Sequence, residues 1–296
     1  MESILVTGVS TGIGKATAEH LCLSGYYVFG SVRKHSDANM LETKYPNNFT
    51  PLVFDVTDSQ SVNEGYQILK EKLQGDLISI VNNAGIALAG PLLMLENDVF
   101  RKQFEVNVIG VLTVVNTFFP LLRASRKNGK ITRIINISSV SGKRAFPFVG
   151  PYTASKHALE AISDVMRKEF LLQDIDVIVI QPGPVATPIW DKTPDPENNR
   201  FIGSEYERSL QRFYEITMKK GKEGLPAHTV AKLIKKVLEI KKPKTRYVIM
   251  KNSFTNFILP GLLPDRWVDR VMGKALKLIK SSTPLVCRKL VISVCL

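Results

Sequence analysis

Cysteine is scarce in this chain. Cys22, Cys287 and Cys295 are the three present among 296 residues. Their spacing fits neither a metal-ligand set nor a disulfide framework, so no metal site is expected and a reducing compartment is. Long apolar runs are also missing. No stretch reaches the ~18 consecutive apolar residues of a membrane-spanning helix. Met1-Glu2-Ser3 leads straight into Ile4-Leu5-Val6, without the basic start and apolar core of a secretory leader. The expectation is a cytoplasmic protein. Acidic residues are in deficit, 27 against 40 basic ones, for a net charge of +13. That deficit is local. From Arg208 onward there are 20 Lys/Arg and 5 Asp/Glu, whereas the first 207 residues hold 20 and 22. A basic last third suits an anionic lipid, a nucleic acid or an anionic ligand, or is a solvated face. No recognition motif or aromatic-basic interleaving accompanies it, so nucleic acid is not expected as a partner.

Apolar content is ample: 44% of residues are hydrophobic and 23% charged. Short Val/Ile/Leu runs alternate with helical patterns. Strands are expected at residues 3–6, 26–32, 50–54, 77–81, 131–137, 175–181 and 246–250. Helices are expected at 13–24, 58–73, 98–122, 152–172 and 227–240. Gly25 suits a helix C-terminal cap, and Asp58 or Ser59 an N-cap. Such alternation predicts an α/β domain: a doubly wound parallel sheet of about seven strands with helices on both faces. Ligands of these folds bind beyond the carboxyl ends of the strands. Residues 1–255 form one domain in this reading. Residues 187–224 interrupt the rhythm with Pro188, Pro194, Asp195 and Pro196, and read as a lid or as a surface excursion. Residues 256–296 form a basic, apolar extension. In it Val268, Val271, Met272, Ala275, Leu276 and Ile279 repeat at helical spacing. A basic amphipathic helix can lie on an anionic membrane, pack on its own domain, or join a second subunit in a homo-oligomer.

Thr7-Gly8-Val9-Ser10-Thr11-Gly12-Ile13-Gly14 joins the first strand to the first helix. Glycines allow a tight turn, and the helix N-terminus offers free N–H groups and a positive dipole end to a phosphate. Spacing here is neither Gly-x-Gly-x-x-Gly nor a Walker loop. The second strand ends Val32-Arg33-Lys34-His35 and lacks the carboxylate that would hold a ribose 2′-hydroxyl. Arg33 suits a 2′-phosphate by charge and fork geometry. NADP is therefore preferred to NAD as the expected cofactor, with NAD still open.

Tyr152 and Lys156 lie four apart at the start of a helical pattern, on one face. An ammonium beside a phenol favours phenolate, so the tyrosine pKa is expected below its usual ~10. Isolated, such a pair is also common decoration on a helix surface.

With these pieces in order, the chain resembles the short-chain dehydrogenase/reductase family, and within it the retinol and hydroxysteroid members. The resemblance spans residues 4–250. It rests on the Gly8/Gly12/Gly14 turn, Asp55-Val56, Asn82-Asn83-Ala84-Gly85, Asn107, Ser139, Tyr152, Lys156, and Pro182-Gly183 with Val185 and Thr187. It implies a Rossmann-like fold and hydride transfer between a nicotinamide and a small-molecule carbonyl or alcohol substrate. Asn107, Ser139, Tyr152 and Lys156 would be the catalytic set, with Tyr152 the general acid/base and Asn107 holding a water. Gly8, Ser10, Thr11, Gly12, Ile13, Gly14, Arg33, Asp55, Val56, Asn83, Ala84, Gly85, Pro182, Gly183, Val185 and Thr187 would line the cofactor, with Tyr152 and Lys156. Family spacing selects Ser139 over Ser138, which is expected to be a structural hydrogen-bonding residue. Residues 90–94, Phe146, Phe148, Ile189 and Trp190 would wall a lipophilic cleft for a steroid, retinoid or fatty acyl substrate, or are ordinary core. The competing function is a catalytically silent NADP-binding regulator of the same fold.

Overall fold

A computed structural model describes residues 1–188 and 201–279. Seven strands form one parallel sheet: β1 (Glu2–Val6), β2 (Tyr27–Val32), β3 (Phe49–Val53), β4 (Asp76–Asn82), β5 (Arg133–Ile137), β6 (Asp176–Pro182) and, after the short ribbon of β7 (Val185–Ala186) and β8 (Leu225–Pro226), β9 (Arg246–Ile249). Their order is β3-β2-β1-β4-β5-β6-β9. Strand order reverses between β1 and β4. Crossovers leave that point on opposite faces, which opens a crevice at the carboxyl ends.

Helices α1 (Gly12–Leu23), α2 (Asn39–Lys44), α3 (Ser59–Lys72), α4 (Asn97–Phe104), α5 (Gly110–Lys127), α6 (Gly150–Glu169), α7 (Glu207–Lys222), α8 (Ala227–Glu239), α9 (Leu259–Leu262) and α10 (Asp265–Ala275) cover or extend the sheet. Ala18 and Leu21 of α1 meet Val230, Ile234 and Val237 of α8 over one face. Val62 of α3, Val115 and Phe118 of α5 and Leu159 of α6 close the other. By length and composition residues 97–127 could cross a membrane. Here their apolar stripe, Val111, Val114, Phe118 and Leu122, is buried in the core instead.

Local sequence explains the boundaries. The Gly25 N–H bonds to the Cys22 carbonyl and the Tyr26 N–H to that of Leu21, with Gly25 at φ +86°. This is a Schellman cap, which glycine makes without a Cβ clash. Asp58 accepts from the N–H groups of Gln60 and Ser61 and caps α3. The single helix expected at 98–122 is instead broken by a π-helical turn at Glu105–Ile109. Such turns carry an extra residue and recur at functional sites. Helix α2 was not expected from the pattern.

Arg133 is buried on β5 and reaches the end of α8. Its guanidinium donates to the carbonyls of Val237 (2.6 Å), Leu238 and Ile240. A cation there satisfies carbonyls that the helix leaves free and meets the negative end of its dipole.

Residues 187–224 are closed at their base by pairing of β7 with β8, Val185 opposite Leu225. Helix α7 stands within them. Leu276, Phe148, Phe201 and Leu210 form a small separate core there. Phe146 and Met272 centre another, with Leu259, Val268 and Val271. The helical apolar stripe of the C-terminal extension is thus packed on its own domain, while Trp267 remains exposed.

Candidate active site

The crevice between β1 and β4 is built by hydrogen bonds among the motif residues. Thr7 donates its N–H to the Val81 carbonyl at 3.0 Å. Its hydroxyl accepts from the N–H groups of Asn83 and Ala84, both at 2.9 Å. The Asn83 amide donates back to the carbonyls of Thr7 (2.9 Å) and Gly8 (3.0 Å). Asn83 therefore clasps the glycine turn from the next strand. Gly8 at φ +72° and Gly12 at φ +61° need the left-handed region. A Cβ on Gly14 would stand 2.1 Å from the Gly8 oxygen and 2.4 Å from Asn83 Nδ2. A Cβ on Gly12 would meet Thr187 at 3.3 Å, so the turn and the segment after β6 face each other. Ser10 and Thr11 lie on the turn, and Ile13 opens α1 beside Gly14. The resulting cradle, bare backbone before a helix N-terminus, fits a pyrophosphate.

Around it, Arg33 lies exposed just past β2, and among the described residues it has no ion pair or side-chain hydrogen bond. Asp55 Oδ1 accepts from the N–H (2.9 Å) and hydroxyl (2.8 Å) of Thr57, which fixes the turn after β3. The Val56 side chain is buried against Gly110. A Cβ on Gly85 would meet Asn107 Oδ1 at 3.2 Å. Pro182 ends β6, and the Gly183 N–H bonds to the Ile249 carbonyl at 2.9 Å. Val185 opens the short ribbon and pairs with Leu225.

Helix α6 starts with Gly150-Pro151, where proline's fixed φ suits the first turn. It carries Tyr152 half-buried and Lys156 buried, with Lys156 Nζ 5.8 Å from the Tyr152 ring centroid. Lys156 Nζ donates to the Ile137 carbonyl at 2.8 Å, at the end of β5. Ser139 follows in extended backbone and its hydroxyl accepts from the Ser141 N–H at 3.1 Å. Ser138 bonds through its backbone to the Ile180 carbonyl at 2.8 Å. Its hydroxyl, expected to be structural, finds no partner among the described residues.

The electrostatics differ from expectation. Burial pushes the Tyr152 phenol above its usual value, and a hydrogen bond with Ser139 pulls it back. The downward shift expected from Lys156 is thus outweighed by burial. Burial lowers Lys156 to about 8, against the raising effect of the Glu160 carboxylate.

Asn107 sits in the π-helical turn. Its side chain accepts from the Ile86 N–H (2.9 Å) and donates to the Ile86 carbonyl and Ser155 Oγ, both at 3.0 Å. These contacts tie the loop after β4 to α6, rather than leaving the amide open. Gln103, one turn earlier, works alongside it. It donates to the Ile86 carbonyl at 2.7 Å and accepts from the Leu88 N–H at 2.8 Å. Gln103 was missed: its burial and its contacts with Ile86 and Leu88 exist only in the fold, and a glutamine in a helical pattern gives no local sign of them.

The cleft residues divide. Phe148 is buried, with its ring edge-on to Phe213 (5.6 Å) and Tyr206 (6.2 Å). It holds φ +65°, a conformation costing a bulky residue roughly 1–3 kcal/mol. Phe148 gains its carbonyl's bond from the Gly90 N–H at 2.7 Å. Phe146 packs on Met272 and α10. Leu92 and Leu93 are exposed, and Leu92 lies beside the start of α6, where a Cβ on Gly150 would strike it. Ile189 and Trp190 lie outside the described residues.

Comparison with known proteins agrees with this architecture. The sequence profile described as short chain dehydrogenase matches residues 2–198. The NADPH-dependent 3-dehydrocapnine reductase of Ornithobacterium rhinotracheale is 38% identical over 278 residues, covering 94% of this chain and 98% of the relative. A 3-ketodihydrosphingosine reductase of Bacteroides thetaiotaomicron is 33% identical over 250 residues, covering 82% and 86%. Among solved structures, a short-chain dehydrogenase from Streptomyces avermitilis superposes with a TM-score of 0.73 at 24% identity, over 94% of this chain and 98% of that one. The chain belongs to the short-chain dehydrogenase family of oxidoreductases.

Proposed function

We propose that the protein is an NADPH-preferring reductase of a lipophilic ketone, able to oxidise the corresponding alcohol in reverse. The observation that carries this reading is the convergence of Tyr152, Lys156 and Ser139 at the carboxyl end of β5, beside the glycine cradle. The bare backbone at Gly8, Gly12 and Gly14 fits a dinucleotide pyrophosphate, and exposed Arg33, unpaired among the described residues, suits a 2′-phosphate. When bound, the nicotinamide supplies the hydride. Tyr152 donates the proton to the oxygen that becomes an alkoxide. Ser139 donates a hydrogen bond to the same oxygen, where charge develops. Lys156 holds positive charge beneath the phenol, and Asn107 and Gln103 fix the loop that faces them.

A lipophilic ketone is supported by exposed Leu93, by exposed Leu92 beside the start of α6, and by the two relatives, whose names specify a 3-dehydro and a 3-keto compound. The test is turnover with NADPH and NADH in parallel against long-chain 3-keto lipids, steroid ketones, retinal and simple aldehydes. Fast NADPH oxidation with a long-chain or polycyclic ketone is expected. No turnover across the panel, with NADPH still bound, would establish the silent regulator instead.

A further inference from the structure

Glu160 lies one helical turn beyond Lys156 on α6 and is buried. A buried carboxylate needs partners to stay charged. It has three. Oε1 accepts from Gln181 Nε2 at 2.9 Å, at the end of β6 just before Pro182-Gly183. Oε2 accepts from Arg246 Nε at 2.8 Å, on β9. Lys143 Nζ stands 3.5 Å from Oε2, in the segment that follows Ser139. Arg246 is itself held by Asp164 at 2.8 Å, one further turn along α6. The Glu160 stem also packs on the Ser139 loop. A Cβ on Gly142 would meet Glu160 Cγ at 3.0 Å, Ser138 Oγ at 2.7 Å and the Lys156 carbonyl at 3.1 Å.

We propose that Glu160 is a positioning residue for the proton-transfer pair: clamped by Gln181 and Arg246, it locks α6 to the Ser139 loop and to the end of β6, and supplies Lys156 with a buried countercharge. This rests on the reductase reading above. Glu160 and Lys156 stand four apart on one face of α6, and Glu160 Cγ and the Lys156 carbonyl flank the same point at Gly142, so the carboxylate is placed to act on the lysine, whose proton affinity it raises. The charged groups facing Glu160 are Lys143 and Arg246, with Asp164 and Arg167 behind Arg246. The carboxylate opposes the loss of the Lys156 proton that burial favours. One carboxylate thereby couples the last strand to the catalytic helix.

The experiment compares full-length parent, Glu160→Gln and Glu160→Asp. It measures kcat/KM for ketone reduction against pH, with unfolding curves for each. Losing the carboxylate lowers the lysine pKa, so the alkaline limb should move to lower pH in E160Q, by about one pH unit for a charge pair at intermediate dielectric. E160D keeps the charge and should restore the limb. An unmoved limb in a folded E160Q would overturn the proposal and leave Glu160 a purely structural clamp. Should E160Q fail to fold, Lys143→Met carries the test from a half-exposed site. Removing that cation strengthens the field of Glu160, so the limb should move to higher pH; an unmoved or acid-shifted limb would refute the coupling. A parent without NADPH-linked turnover would fail the reductase reading instead, which is a separate result.

Discussion

Asn83→Ala is the sharpest probe of how the glycine turn is held. The amide of Asn83 bonds the carbonyls of Thr7 and Gly8 at 2.9 and 3.0 Å. Both are neutral hydrogen bonds, worth roughly 0.5–1.5 kcal/mol each. The Thr7 carbonyl is buried and belongs at the upper end, whereas Gly8 is half-buried and water can replace part of its bond. A loss of about 2 kcal/mol follows, or a fall in Tm of roughly 4–8 °C for a domain of this size. The backbone bonds of Asn83 and Ala84 to the Thr7 hydroxyl survive, so the strands stay paired. What loosens is the turn itself. Re-forming it on binding should weaken NADPH by about tenfold, within a ceiling near ~30-fold for 2 kcal/mol. Asn83→Asp should be worse than the alanine, because it aims a carboxylate at two carbonyl oxygens. Differential scanning fluorimetry and NADPH titration by fluorescence read the two effects. An Asp variant as stable as the parent, or NADPH affinity unchanged in a destabilised Ala variant, would refute the clasp.

Tyr152→Phe should reduce turnover by at least ~10³-fold while NADPH titration changes little, since proton transfer is lost and the cradle is not. Near-normal turnover would sink the assigned acid. Arg33→Ser should cut the NADPH-to-NADH ratio of kcat/KM by about 10–100-fold, the worth of one charge-assisted phosphate contact; an unchanged ratio would move the 2′-phosphate elsewhere. Lys156 is lowered from 10.5 to about 8 in the folded state. Between those values the unfolded chain binds more protons, so this residue makes stability rise with pH from about 8 to 10.5. Urea unfolding of parent and Lys156→Met at pH 7.5 and 9.5 checks this: the variant should lose that slope, and equal slopes would contradict the buried-lysine reading.

Much of the sheet was legible because parallel strands buried on both faces are predominantly Val, Ile and Leu, and their length is bounded by turns. The C-terminal cap of α1 and the N-cap of α3 were legible because Gly25 and Asp58 act within a few residues of themselves. The π-helical turn was not. Its sequence, Glu105 to Ile109, has ordinary helical chemistry, and the extra residue is stabilised by what Asn107 reaches: Ile86 and Ser155, 21 and 48 residues distant. The same limit hid Gln103 and Arg133. A buried arginine on a strand reads as an error in the apolar pattern until α8, more than a hundred residues later, brings its carbonyls to it.

The direction of the tyrosine shift teaches the converse point. Spacing correctly placed a phenol and an ammonium on one face of α6. It gave no measure of burial, and burial decides the sign. A cation lowers a neighbour's pKa only as far as it remains a cation, and Lys156 in its dry position sits near 8. Its charge therefore depends on groups that local spacing does not reveal as partners. Glu160 is one, itself dependent on Gln181 and on Arg246 from the far edge of the sheet. The pair at the heart of the site is local in sequence, whereas the charge that makes it useful is a property of the assembled fold.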